Sequence, residues 1–139
     1  MLKYKFKILL LIIAQNCFSQ NLMEIISENN SSIIDNTKEY KLLIISDSGC
    51  GYCKITYEKI KDLTSKIQII ILDYGVNNKN EIAKYSDYNF ISAKNISEIK
   101  NQDFFPKLFL YNKDNKLIWK KKGWFDSNLK KIKKKINYH

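Results

Sequence analysis

The sequence predicts an α/β fold: a central mixed four-stranded sheet, built as a βαβ unit followed by a β-hairpin and a C-terminal helix, and flanked by helices. Three observations predict it. Two short β-branched apolar runs, residues 41–46 and 67–73, lie either side of a stretch with helical periodicity. Two further apolar runs, 107–112 and 116–121, are separated only by Lys113-Asp114-Asn115, as in a hairpin. The last segment carries Leu129, Ile132 and Ile136 at helical spacing. With 139 residues, 45% of them hydrophobic, the chain fits one domain with a real core.

The first element is a leader. Lys3, Lys5 and Lys7 precede the apolar run from Ile8 to Ala14, and Cys17 and Ser19 then supply small residues two apart. That order is the layout of a cleavable export signal, with the cut expected after Ser19, so the domains read as 1–19 signal peptide and 20–139 folded domain. The apolar run is too short to span a bilayer, which takes about 20 residues. Acylation of Cys17 is the alternative, weakened by Asn16 where a lipoprotein signal prefers a small residue. Removal of residues 1–19 takes three Lys and one Cys with it and leaves a net charge of +7. Localisation is therefore expected to be periplasmic or extracellular, where thiols do redox work or become disulfides.

The remaining elements follow in order. Leu22, Ile25 and Ile26 suggest a short covering helix within residues 21–39. Lys41 to Ser46 reads as a strand buried on both faces, ended by Asp47-Ser48-Gly49. A helix from about Cys50 to Lys66 has the apolar stripe Cys53, Tyr57, Ile60, Leu63 and Ile67. Ile67 to Asp73 is a second buried strand, which completes the βαβ unit. Residues 75–103 are polar, with short helical turns expected at Asn80–Tyr85 and Ser97–Asn101. After the hairpin, Gly123 breaks the second strand and Asp126 is placed to cap the last helix.

Charge and composition narrow the function. All 24 basic residues are Lys, and Arg, the side chain suited to bidentate phosphate and guanine contacts, is absent. Eight Lys crowd residues 120–135, which reads as the wet face of a helix and of an edge strand. A nucleic-acid partner is therefore not expected, nor is stable membrane insertion once the signal is cut. The single His is the last residue, and with two mature Cys it cannot supply a four-ligand zinc site, so no metal and no cofactor is expected.

The residues that carry chemistry are Cys50-Gly51-Tyr52-Cys53, at the passage from a buried strand into a helix. At a helix N-terminus, unpaired N–H groups and the helix dipole stabilise a thiolate, and such placement can bring a Cys pKa from about 8.5 down to between roughly 3.5 and 7.5. Cys53, one turn on, lies on the apolar stripe and should be shielded. Cys50 is then the nucleophile toward a substrate disulfide and Cys53 the thiol that resolves the mixed disulfide. A structural bond across so small a loop would restrain little chain. A non-catalytic binding module with a static disulfide stays open as the alternative.

Ser46 to Lys54 (Ser-Asp-Ser-Gly-Cys-Gly-Tyr-Cys-Lys), with Phe105-Pro106-Lys107-Leu108-Phe109-Leu110-Tyr111 much later, resembles the thioredoxin-like superfamily over residues 38–137. The resemblance implies a thioredoxin-like fold and an exported thiol–disulfide oxidoreductase, with reduction the favoured direction. It implies a cis bond before Pro106, and substrate contacts at Phe105 and Pro106 beside Gly51 and Tyr52 of the Cys pair. Gly123 matches the family's glycine after the hairpin. The partners implied are protein thiols and disulfides and a redox partner that recharges the dithiol, and the chain is expected to be a monomer. Three positions depart from the pattern. Gly49 replaces the usual Trp before the first Cys, Glu58 replaces the helix-kinking Pro, and Ile44 replaces the buried Asp that serves the second Cys as proton acceptor. Glu58, Asp73 or water is left to take that last role.

Overall fold

The strands form where apolar β-branched residues run uninterrupted. In the computed structural model, which describes residues 22–47, 49–75, 79–96 and 104–138, strand β1 spans Tyr40–Ser46 and β2 spans Ile67–Asp73. Every residue of β2 is buried, and so is β1 after Tyr40, as expected of strands covered on both faces. They pair in parallel from Tyr40 opposite Ile67 to Ser46 opposite Asp73. The predicted hairpin is β4, Lys107–Asn112, with the last strand, Leu117–Lys122. β4 runs antiparallel to β1, so β1 lies at the centre.

The sheet has five strands rather than the four expected. The additional strand is β3, Asn89–Ser92, parallel to β2, and the hairpin's second strand is accordingly β5. The order is β3-β2-β1-β4-β5. β3 is four residues long and only Ile91 in it is buried, so it carries too little apolar pattern to stand out from its polar surroundings. Lys120, Lys121 and Lys122 of β5 are exposed on the edge, in keeping with the reading of those lysines as solvated.

Helices cover both faces. Helix α1, residues 22–29, buries Leu22, Met23 and Ile26 against Leu43, Ile45, Ile70 and Leu72. Helix α2, Gly51–Ile60, and helix α4, Asp126–Lys135, cover the other face, where Tyr57, Ile60 and Ile132 meet Leu42, Ile44, Ile69 and Ile71. The long helix expected to Lys66 is α2 followed by a 3-10 segment, Lys61–Ser65, and Ile67 belongs to β2. The turn expected at Asn80–Tyr85 is helix α3, Lys79–Ala83; the one at Ser97–Asn101 lies outside the described residues, as do residues 1–19, where a leader is expected. Asp126 does not cap α4: Phe125 is the N-cap, without a side-chain bond, and Asp126 is the first residue of the helix. There its carboxylate still faces the positive end of the helix dipole. No helix among the described residues is long and apolar enough to cross a membrane.

Candidate active site

The C-terminal end of β1 delivers the chain to the Cys pair through a tight turn. Asp47 fixes that turn twice: its Oδ1 accepts the Gly49 N–H at 2.8 Å and its carbonyl accepts the Cys50 N–H at 2.9 Å. Cys50 is the N-cap of α2, with extended backbone angles. Its Sγ takes the place of a capping oxygen and accepts the Cys53 N–H at 3.3 Å. The sulfur therefore rests on one of the donors a helix start leaves unpaired. Cys50 is half-buried and Cys53 fully buried, and both are free thiols.

Burial pushes the Cys53 thiol pKa up, its hydrogen bond with Cys50 pushes it further, and a backbone hydrogen bond from Asp47 opposes both. Cys53 is thus held protonated at neutral pH. Gly51 and Tyr52, between the two sulfurs, are exposed, Tyr52 to 65%.

A second segment closes on the pair from 55 residues away. The Cys50 thiol points at the Phe105 carbonyl across 3.9 Å. The Phe105–Pro106 peptide bond is cis, and Pro106 is buried directly before β4. The Pro106 carbonyl accepts the Gly123 N–H at 2.8 Å, which ties this loop to the end of β5. Gly123 has φ +75°, and a Cβ there would meet Phe104 at 3.3 Å and Phe125 at 3.5 Å. The buried Asn128 amide holds the same corner by donating to the Gly123 carbonyl at 3.0 Å.

The structure brings all six sequence-predicted residues, Cys50, Gly51, Tyr52, Cys53, Phe105 and Pro106, to one end of the sheet. Sequence reasoning missed Phe104 and Phe125, two exposed rings that flank Gly123. Their signal was their adjacency to Phe105 and to the Gly123 break. Of the candidate proton acceptors, Glu58 is exposed and accepts the Tyr85 hydroxyl at 2.8 Å, so it does not face Cys53; Asp73 is 2% exposed and stands at the end of β2. Among the described residues, no group of three or more His, Cys, Asp and Glu side chains could hold a metal ion.

Known structures share this arrangement of elements. The thioredoxin domain of a thiol-disulfide oxidoreductase from Bacteroides vulgatus superposes with a TM-score of 0.57 and 15% identity, over 74% of this chain and 83% of that one. A thiol:disulfide interchange protein from Bacteroides sp. gives 0.54 and 18%, over 74% and 76%. The exposed lipoprotein thioredoxin of Streptococcus pneumoniae gives 0.53 and 12%, over 77% and 90%. Neither a protein-family model nor a curated protein sequence matches the chain.

Proposed function

We propose that this thioredoxin-like chain is an exported thiol–disulfide oxidoreductase that works as a reductase of protein disulfides. The observation that carries the reading is the asymmetry of the Cys pair. Cys50 caps a helix with its sulfur half-exposed beside the Phe105 carbonyl, whereas Cys53 is buried with its pKa pushed up. One thiol can meet a substrate and the other can act only after the first has reacted. The thiol-disulfide exchange proteins of similar fold support the same chemistry.

Cys50 attacks one sulfur of a substrate disulfide, and the other leaves as a thiolate. Cys53 then displaces the substrate from Cys50 and closes the protein's own disulfide. An extended substrate strand alongside Phe105 and Pro106 would place its sulfur over Cys50, with Gly51 and Tyr52 as the facing wall. The exposed large apolar side chains among the described residues include Tyr52 and Phe104 on these segments and Phe125 at the Gly123 corner, and they suit apolar residues of an unfolded chain. Residues 20–139 form the working domain after loss of residues 1–19, acting as a monomer outside the cytoplasm. The exposed lipoprotein thioredoxin of similar fold is in line with that location. A separate redox partner restores the dithiol.

Insulin-disulfide reduction tests the reading. Dithiothreitol-charged protein should turn over, Cys50→Ser should abolish turnover, and Cys53→Ser should accumulate a mixed disulfide at Cys50. A potential near thioredoxin's, about −270 mV, fits a reductase; a pair still oxidised below about −300 mV is a structural bond and sinks the proposal.

A further inference from the structure

The positive charge of the chain is gathered at its C-terminal end. Residues 20–115 hold 12 Lys and 13 acidic residues, a net charge of −1, whereas residues 116–139 hold nine Lys and Asp126 alone, a net charge of +8. A general richness in Lys does not account for this, because acidic side chains are missing from the same stretch. The lysines of β5, residues 120–122, are exposed, and so are Lys130, Lys131, Lys134 and Lys135 of α4, whose other side buries Asn128 and Ile132. The helix dipole favours cations in the last turn of α4, which leaves Lys130, Lys131 and β5 unexplained. Edge protection asks for charge on β5 but not for the loss of acids from α4. Lys130 and Lys134, like Lys131 and Lys135, are equal charges four residues apart on one helix, an arrangement that lowers its stability.

This surface starts at the dithiol. The register pair of β4 and β5 at the Cys end of the sheet is Lys107 with Lys122. Lys107 directly follows Pro106, and Gly123, directly after Lys122, is bonded to the Pro106 carbonyl. Lys121 leaves the opposite face of β5, opposite Leu108, and its Nζ stands 5.8 Å from the centre of the Phe125 ring. A cation is thus held over one of the two exposed rings that flank Gly123. Rings and cations interleave at the rim of the Cys50 site, and α4 carries positive charge away from it over about 15 Å. The nearest acids do not reverse this: Asp47 has a carboxylate oxygen on the Gly49 N–H, and Asp126 is the lone acid of the basic segment. A second copy of the chain does not complement such a surface. A bilayer fits it poorly, because α4 spends its apolar side on the core and has none to insert. Continuity with Cys50, whose reactant is a disulfide, calls for a polypeptide.

We infer that the substrate of this dithiol is an acidic polypeptide, whose carboxylates near the disulfide lie against Lys121 and Lys122 while apolar neighbours meet Phe104 and Phe125. The lysines of α4 act at longer range and raise the rate of encounter. The inference rests on the exchange reading of the Cys pair and keeps its balance. The dithiol loses two electrons and the substrate disulfide gains them; the Cys50–Cys53 bond forms as the substrate S–S bond is lost, and the two dithiol protons pass by way of solvent to the substrate thiols. The lysines touch neither sulfur. They select which disulfide reaches Cys50.

Three synthetic peptides test this, alike in one disulfide loop and an adjacent Phe but flanked by Glu, by Gln or by Lys. Each oxidises the reduced full chain, and its second-order rate constant is divided by its rate with dithiothreitol, which removes the peptide's own reactivity. The Glu peptide should exceed the Lys peptide about tenfold, the product of two or three exposed ion pairs. That ratio should collapse between about 0.01 M and about 1 M salt, as the Debye length falls from about 30 Å to about 3 Å. Lys121→Glu with Lys122→Glu should bring the ratio to one or below, and Lys130→Glu with Lys134→Glu should lower it about threefold. Lys121→Gln with Lys122→Gln serves if the reversed pair does not fold. Equal rates for the three peptides overturn the inference, as does a ratio untouched by salt or by the β5 substitutions. Recruitment of the protein to phosphatidylglycerol vesicles without discrimination among the peptides assigns the lysines to a membrane and overturns it too. Oxidation by none of the peptides overturns the exchange reading, and this inference with it.

Discussion

The amine of Lys41 lies inside the sheet, on the α1 face, between its register partners Gln68 on β2 and Tyr111 on β4. It has no hydrogen-bond partner among the described residues, and burial pulls its pKa down while Asp35 and Asp114 pull it back up. A buried polar group left unpaired costs about 1–3 kcal/mol. Lys41→Met keeps an unbranched side chain only one atom shorter and removes the amine, so it should stabilise the fold by an amount in that range. Below the lowered folded value the amine is charged in folded and unfolded chains alike, and the cost is full. As pH climbs from the lowered folded value toward the ordinary 10.5, the folded chain sheds the proton first and the cost is relieved. Urea denaturation should therefore show the Met variant's gain shrinking as pH rises toward 10.5; a less stable Met variant would refute the account. The sequence reads Lys41 to Ser46 as a strand buried on both faces, and that holds at Lys41 although lysine is seldom fully buried.

At the scale of elements, the junction between β5 and α4 is built around Gly123. Its φ of +75° lies in the left-handed region, where a Cβ costs about 1–2 kcal/mol. That Cβ would also press on the rings of Phe104 and Phe125. Gly123→Ala should lose at least that strain energy in denaturant titration and should slow substrate reduction by displacing the two rings. Unchanged stability and unchanged turnover would show that the corner tolerates a side chain. Elements were legible where a run was long and of one character. β1 and β2 announce themselves by seven-residue strands of largely Ile and Leu, whereas β3 gains its place from pairing with β2 alone. The N-terminus of α4 was misplaced by one residue because Asp is a strong cap by propensity, yet the extended backbone falls at Phe125.

The whole molecule carries an alkaline weakness. Burial pushes up the pKa of Tyr57, Tyr88 and Tyr111 from an ordinary 10.0, and of Cys53 from 9.0. Each is held neutral in the fold and ionises in the unfolded chain, so their contribution is complete below about pH 9 and drains away as pH rises, by about 1.4 kcal/mol per pH unit per group. Lys41 works in the opposite sense only up to its ordinary value. Tyr111→Phe should flatten the fall above about pH 10 by one group's share, measured as denaturant midpoints across the pH series; an unaltered slope would remove Tyr111 from the set. At this scale the candidate site was half legible. The Cys pair and Pro106 show themselves because each motif is local, while the approach of Phe105 to Cys50 joins segments 55 residues apart and exists only after the strands are in register.

The central position of β1 has a consequence for how the chain comes into being. Its parallel partner β2 follows within the same βαβ unit, but its antiparallel partner β4 arrives only at Lys107, and with it the Phe105 carbonyl that faces Cys50. Such long sequence separation delays pairing until late in folding. A chain emerging N-terminus first therefore presents its dithiol to the surroundings before the segment that shelters it has been delivered. During that interval the pair is an unguarded oxidisable centre, so a newly made molecule that meets an oxidant acquires its first disulfide before it has a site to control it.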